Sequence, residues 1–367
     1  MQEKQITADA LIRHIKTLYP SDKPLRLMEV CGTHTVSIFR EGVRQLLPPQ
    51  IELVSGPGCP VCVTDQTYMD KALAYAEMDD VIIATFGDML KVPGSYSSLS
   101  AAQTKGAHIH IIYTPIEIIE LGKQNPTKKI IFLAIGFETT IAVIAATVQM
   151  VVQSGLTNVF FLVSHKLVPP ALRALLDSQA GHIDGFILPG HVSVIIGEKP
   201  YQFLADEYHT PSCIAGFDGI EILMAVENIL EQRVSNTPYV GNTYHSVVMK
   251  EGNPVACQVI DDVYELRDDI WRGIGLIPNS GLRLREKYGH LDAEVALPIT
   301  LIKPSKEIKG CQCGQVLQGL VKPNECPLFG KACTADHPVG ACMVSVEGSC
   351  AAWYKYGYAS GGLTWEE

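Results

Sequence analysis

From Leu25 to about Arg233, short runs rich in Val, Ile, Leu and Phe alternate with longer amphipathic stretches. Such alternation is what βα units around a parallel sheet require. It predicts strands over Leu25–Val30, Ile51–Ser55, Val81–Phe86, His108–Tyr113, Lys129–Ile135, Val159–Val163, Gly185–Leu188 and Cys213–Gly216. Helices are expected over Thr33–Leu47, Gln66–Glu77, Thr139–Gln153, Pro170–Ser178 and Gly219–Glu231. The polar break Gly122–Lys129 divides the predicted strands four and four, so the α/β fold is expected as two similar domains, 1–126 and 127–236, with parallel sheets facing a cleft. After Asn236-Thr-Pro238 the alternation stops. Residues 237–367, with a helix expected over Arg267–Gly273 and then a tail rich in Gly, Pro and Cys, read as a smaller irregular domain.

Several function classes fall away on composition and motif. The net charge is −10 over 367 residues with no long basic run, which argues against a nucleic-acid surface. The most apolar segment, Ile141–Val152, is interrupted by Gln149 and falls well short of the roughly 20 residues of a membrane span, so it reads as a buried helix. No GxxxxGK[ST] loop is present, no GxGxxG opens the first helix, and no CxxxCxxC run occurs, which leaves nucleotide binding and radical adenosylmethionine chemistry unsupported. The N-terminal MQEKQITADALIRHIK has neither apolar core nor cleavage site, so a cytoplasmic protein is expected, and disulfides lose weight there.

Six of the eleven cysteines fall in the last 57 residues, which points to an inorganic site. Cys326, Cys333, Cys342 and Cys350 are separated by six, eight and seven residues, too widely for the close pairs of a zinc ribbon. Four thiolates suffice for a 4Fe-4S cluster, the leading reading, with structural zinc or disulfides as alternatives. Pro327, Pro338, Gly340 and Gly348 among them can wrap backbone around such a cube, so these four are preferred as ligands over Cys311-Gln-Cys313, which could join the cluster or form a separate site. Cys213 and Cys257 stand in apolar surroundings and read as core.

Reactive residues follow many of the predicted strands, where open α/β sheets place ligands. Cys31-Gly-Thr-His34 follows the first, Gly56-Pro-Gly-Cys59-Pro-Val-Cys62 the second, Gly87-Asp88 the third, Gly136-Phe-Glu138-Thr-Thr140 the fifth, Ser164-His165-Lys166 the sixth, Pro189-Gly190-His191 the seventh and Asp218 the eighth. Thr33, Thr139 and Asp218 are also expected to cap helices. Cys31 precedes a helix N-terminus, where partial positive charge favours a thiolate, so it reads as a nucleophile or a soft metal ligand, with an inert core residue as the alternative. Cys59 and Cys62 have the spacing of a redox dithiol, against the alternative of half a zinc site.

Taken together, Cys31-Gly-Thr-His34, Gly56 through Cys62, Gly136 through Thr140, Leu188-Pro-Gly-His191 and the tail from Cys326 to Cys350 resemble the HypD family of hydrogenase maturation proteins over nearly the whole chain. The resemblance implies a scaffold on which the Fe(CN)2CO unit of nickel–iron hydrogenase is assembled together with HypC, with HypE as transient cyanide donor. It makes Cys31 the thiolate that, with a cysteine of HypC, holds that iron, and Cys59 and Cys62 a redox-active pair. Cys326, Cys333, Cys342 and Cys350 become the 4Fe-4S ligands. His34, Glu138 and His191 are then expected to position groups or deliver protons in the cleft. Two other readings stand beside it: an iron–sulfur-dependent disulfide or thiol oxidoreductase, and a structural binding module with a zinc tail.

Overall fold

The computed structural model describes residues 2–178, 181–301 and 309–357. Its strands are β1 (Leu25–Glu29), β2 (Ile51–Ser55), β3 (Val81–Thr85), β4 (His108–Ile111), β5 (Lys129–Gly136), β6 (Val159–Lys166), β7 (Gly185–Pro189), β8 (Ser212–Ala215), β9 (Val240–Asn242), β10 (Tyr264–Trp271) and β11 (Gly275–Leu284). All eight expected strands are present. They build an α/β fold with two sheets. The first has the order β2-β1-β7-β8-β9 and is parallel throughout. The second has the order β10-β11-β6-β5-β3-β4, with β4, β3, β5 and β6 parallel and the β10–β11 hairpin antiparallel along β6.

Strands covered on both faces must be apolar along their whole length. β5, Lys-Ile-Ile-Phe-Leu-Ala-Ile-Gly, is buried from Ile130 onward, and β6 is buried throughout, including Ser164, His165 and Lys166. The Lys166 ammonium is made tolerable there by an ion pair with Asp269 at 2.8 Å and a hydrogen bond donated to the Ile270 carbonyl at 2.7 Å. These contacts fasten the hairpin to β6. One buried cluster draws on both sheets, joining Met28 and Val54 to Leu133 and Leu162, and it takes in Leu317, Phe329 and Ala341 from the cysteine-rich segment. Among the described residues no helix is long and apolar enough to cross a membrane.

The strands are not shared out as the expected domains 1–126 and 127–236 would have them. β1 and β2 pair with β7 and β8, whereas β3 and β4 pair with β5 and β6. The chain therefore passes from one sheet to the other after β2 and returns after β6. The polar stretch Gly122–Lys129 is only the turn from helix Glu117–Gln124 into β5. Nor does 237–367 stand apart, because β9 extends the first sheet and β10 and β11 extend the second. The irregular part comprises residues 309–357, with helical pieces of three to eight residues; 302–308 and 358–367 of the expected unit lie outside the described residues. The expected helix over Arg267–Gly273 is instead part of β10 and its turn, because Tyr264-Glu-Leu-Arg-Asp-Asp-Ile-Trp271 finds an antiparallel partner in β11.

Helix ends differ in detail from expectation. Asp218 does cap helix Gly219–Ser235, in a capping box with Glu221. Helices Gly32–Arg40 and Glu138–Gln153, however, have Cys31 and Phe137 at their N-caps rather than Thr33 and Thr139. The helix expected over Thr33–Leu47 breaks into Gly32–Arg40 and Val43–Leu46 at Gly42, whose φ of 69° lies in the left-handed region.

Candidate functional site

In each sheet the connections diverge at one point, where ligands gather outside the carboxyl ends of the strands. In the first sheet the chain leaves β1 toward β2 and leaves β7 toward β8, so the switch lies between β1 and β7. Cys31 follows β1 and His191 follows β7. In the second sheet the switch lies between β3 and β5, and it brings the Phe86-Gly87-Asp88 and Phe137–Thr140 segments together. A cavity of about 240 Å³ is found there, lined by Cys59, Asp88, Thr140, Ser345 and Glu347 with walls of Phe86, Met89 and Ile135. The loop after β2 spans both places. The Gly32 amide donates to the Gly58 carbonyl at 3.0 Å, and a side chain at Gly58 would begin 2.4 Å from the Cys31 nitrogen. Only glycine permits that approach, which sets the Cys31 and Cys59 loops against each other.

Cys31 has the extended backbone of an N-cap, φ −147° and ψ 122°, and its side chain makes no capping hydrogen bond. It is buried, at 7% exposure. Burial pushes its thiol up to about 12, with the Glu347 and Glu29 carboxylates adding to the rise, while the amides of His34 and Thr33 pull against it. The helix terminus therefore does not by itself yield the thiolate expected from sequence; desolvation is the larger effect. Two residues before Cys31, Glu29 is fully buried. Its Oε2 accepts the Cys31 amide at 3.2 Å and its Oε1 accepts the Thr35 hydroxyl at 2.5 Å. Burial raises the Glu29 carboxyl to about 7 despite the hydrogen bonds from Thr35 and Cys31 and the charge of Arg44.

The expected positioning groups have separate surroundings. His34 Nε2 lies 2.9 Å from the Gly216 carbonyl and 3.3 Å from that of Ala215, so it is the protonated nitrogen, while Nδ1 is buried without a partner. Burial lowers this imidazole to about 4, which keeps it neutral. The Phe217 ring lies against both imidazoles, 5.0 Å from His34 and 3.9 Å from His191. His191 is likewise lowered by desolvation, against the opposing charge of Glu347. Glu138 accepts the Val168 amide at 2.9 Å through Oε1, its Oε2 has no partner, and burial lifts its carboxyl to about 7.

Cys59 caps the short helix Pro60–Val63, and a chain of thiols leads inward from it. The fully buried Cys62 neighbours the thiols of Cys59 and Cys342 and donates to the Ala341 carbonyl at 3.9 Å, and desolvation raises it well above the ordinary thiol range. The Cys342 thiol contacts Cys313 and Cys350 as well as Cys62, and the Cys342 amide points to Cys313 Sγ at 3.3 Å. Cys313 in turn neighbours Cys311. A narrow apolar cavity beyond this chain is lined by Cys311, Cys313, Cys326, Cys333 and Cys350 together with Val316, Leu328 and Phe329. Of the four cysteines expected as one ligand set, Cys326, Cys333 and Cys350 meet there, whereas Cys342 stands between Cys62 and Cys313. All eleven cysteines are free thiols, and among the described residues no three His, Cys, Asp or Glu side chains stand in metal-binding geometry. Cys213 is core as expected, but Cys257 is only partly buried.

Two site carboxylates escaped the sequence reading. Glu29 had a visible signal, a lone acid at the end of a largely apolar strand, two residues before Cys31. Glu347 had none: it lies in the turn between Cys342 and Cys350, yet it accepts the Thr33 hydroxyl at 2.9 Å, and its backbone presses against Gly32. Ser345 in the same turn donates to Asp88 at 2.8 Å. The cysteine-rich segment is thereby pinned to both switch points.

The sequence profile of the hydrogenase formation hypA family, HypD, matches residues 6–357. The chain belongs to the HypD family. It is 43% identical to the hydrogenase maturation factor HypD of Rhodobacter capsulatus over 343 residues, which is 92% of this chain and 91% of that protein. Against the HypD of Escherichia coli K12 the identity is 41%, covering 94% of both chains. A putative hydrogenase expression/formation protein of Methanocaldococcus jannaschii is 43% identical over 90% of this chain and 92% of its own length. HypD-family membership thus rests on the full span that carries both sheets and the cysteine-rich segment, and it identifies a hydrogenase maturation factor.

Proposed function

We propose that this maturation factor is the scaffold on which, together with HypC, the Fe(CN)2CO moiety is assembled, with HypE as transient cyanide donor. The observation that carries the reading is the clasp at Gly58, which sets Cys31 at one switch point beside Cys59 at the next. Cys31 would hold the iron cargo jointly with a cysteine of HypC, since soft thiolates suit a low-spin iron with strong-field ligands. Because Cys31 is buried and protonated in the chain alone, iron must displace its proton, and the HypC surface must reach the Gly32 turn.

The five thiols lining one apolar cavity fit a 4Fe-4S cluster in number and donor chemistry. Cys326, Cys333 and Cys350 are proposed as ligands, with Cys311, which lines the same cavity, as the fourth in place of Cys342, which does not, and with Cys313 held by the Cys342 amide. When bound, the cluster supplies one-electron reduction. The thiols of Cys59, Cys62, Cys342 and Cys313 lead from the cargo site toward the cluster cavity, and thiol–disulfide exchange between neighbouring pairs would pass a disulfide along them with no net gain or loss of electrons.

An infrared spectrum of the anaerobically co-purified HypC complex, for the unaltered chain and for Cys31→Ala, tests the proposal. Cyanide and carbonyl bands in the first sample and none in the second are expected. Bands surviving in Cys31→Ala would move the iron elsewhere. No bands in either, with a cluster intact, would leave the disulfide oxidoreductase, for which Cys31 has no role.

A further inference from the structure

We infer that Glu29 is a positioning residue for the iron cargo, fixing Cys31 through its backbone amide so that the residue is held at the β1–β7 switch point without a capping bond from its sulfur. The inference rests on the scaffold reading for its purpose and on hydrogen-bond geometry for its substance.

An N-cap residue usually secures its own position by turning its side chain inward to accept an amide of the first helical turn. Cys31 makes no such cap bond. A sulfur required to bind metal has to be spared that duty, so something else must fix the residue. Glu29, the last residue of β1, supplies the fixing from behind. One carboxylate oxygen takes the amide of Cys31 and the other takes the hydroxyl of Thr35, one turn further along the helix. The Thr35 amide closes on the Cys31 carbonyl at 3.1 Å. Strand end, N-cap and first turn therefore form one closed loop of hydrogen bonds with Cys31 inside it.

The cost of this arrangement points to its use. A carboxyl with no solvent exposure in an apolar strand end is expensive to bury, and the same amide could be satisfied by water or by a neutral side chain at lower cost. What a two-oxygen acceptor adds is simultaneous hold on the N-cap and the first turn, which fixes the direction of the Cys31 Cα–Cβ bond. A shared metal site tolerates only about 0.5 Å of misplacement before its ligation geometry fails. Alanine at position 29 frees both groups. Glutamine keeps one carbonyl oxygen for the Cys31 amide and an amide group that can still meet the Thr35 hydroxyl, so it restores most of the clamp.

Two measurements on Glu29→Ala and Glu29→Gln, purified as the full chain with HypC, decide the matter. The first is the carbonyl band of the bound iron unit. Glu29→Ala should broaden or split it, or reduce its intensity at least fivefold, and Glu29→Gln should return a single band near the unaltered frequency. The second uses the chain without iron. Iodoacetamide alkylation, read by peptide mass spectrometry, should be at least fivefold faster at Cys31 in Glu29→Ala than in the unaltered chain, close to unaltered in Glu29→Gln, and unchanged at Cys213 in all three. Equal Cys31 rates in the three proteins would overturn the inference, as would an identical, fully intense carbonyl band in Glu29→Ala. A Cys213 rate that rises in step with Cys31 would also overturn it, by showing general loosening rather than loss of a local clamp. If the unaltered complex carries no carbonyl band the scaffold reading fails, and the alkylation ratio alone judges the clamp.

Discussion

The corner around Cys31 and the cysteine-rich segment 309–357 place their thiols by opposite means. At Cys31 the strands come first: β1 delivers the residue, β7 flanks it, Gly58 presses on its backbone and Glu29 holds its amide. In the cysteine-rich segment, regular structure is confined to helical pieces of three to eight residues, and Cys342 neighbours the thiols of Cys313 and Cys350. A position inherited from a sheet survives loss of its ligand. One made by mutual contact among ligands depends on what they bind.

The sharpest way to break this contrast is to remove the iron–sulfur cluster proposed for that segment. Stripping iron with a chelator, or Cys333→Ser with Cys350→Ser, should eliminate essentially all acid-labile sulfide and open 309–357 to limited proteolysis while the far-ultraviolet dichroism of the sheets persists. Collapse of that dichroism as well would show that the segment carries the whole fold. Next in size, Asp269→Ala leaves the buried Lys166 ammonium unpaired and should cost about 3–5 kcal/mol in denaturant unfolding. Iron content at low denaturant should not change, because the loss falls on the hairpin of the second sheet. Gly58→Ala should cost about 1–3 kcal/mol by overpacking against Cys31. Its distinguishing mark is altered alkylation of Cys31 and Cys59 together with unaltered cluster absorption; altered cluster absorption would mean that the two regions are mechanically one.

The smallest expected effect concerns pH. The Glu138 carboxyl is raised to about 7 in the folded chain, above its unfolded value, so the folded state holds the extra proton between pH 4.5 and 7. Its contribution to stability is present below that window and is lost as pH rises through it. Glu138→Gln, which has no proton to lose, should therefore gain on the unaltered chain between pH 5 and pH 8, by roughly 1–3 kcal/mol. A difference that stays flat across that range would mean that Glu138 is ionised throughout.

Much of the site was legible because its chemistry is carried by short local signals. Cys31, Cys59 and Cys62 were singled out because they follow apolar strands, and they do stand at or beside switch points. Seven of the eight strands were legible for the same reason, being largely buried and largely apolar, whereas β4, His-Ile-His-Ile at a sheet edge, is mostly exposed and was legible from its place in the alternation. That Cys342 neighbours Cys62 and Cys313 was not legible, because spacing along the chain cannot say which thiol turns toward Cys62. The helix expected over Arg267–Gly273 is strand and turn because only a partner strand decides between the two periods in so short a segment. Glu347 was invisible, being an ordinary surface-type residue until the fold presses it onto Gly32.

By itself, then, the amino-acid sequence determined the βα alternation, the reactive residues after the strands and the family. These follow from local hydrophobic pattern and from motifs whose residues are neighbours in the chain. The tertiary structure alone decided which strands share a sheet, which cysteines share a cavity and what stands behind Cys31. Each of those depends on pairings between residues far apart in sequence, chosen by burial of whole faces and by hydrogen bonds that exist only once the faces have met.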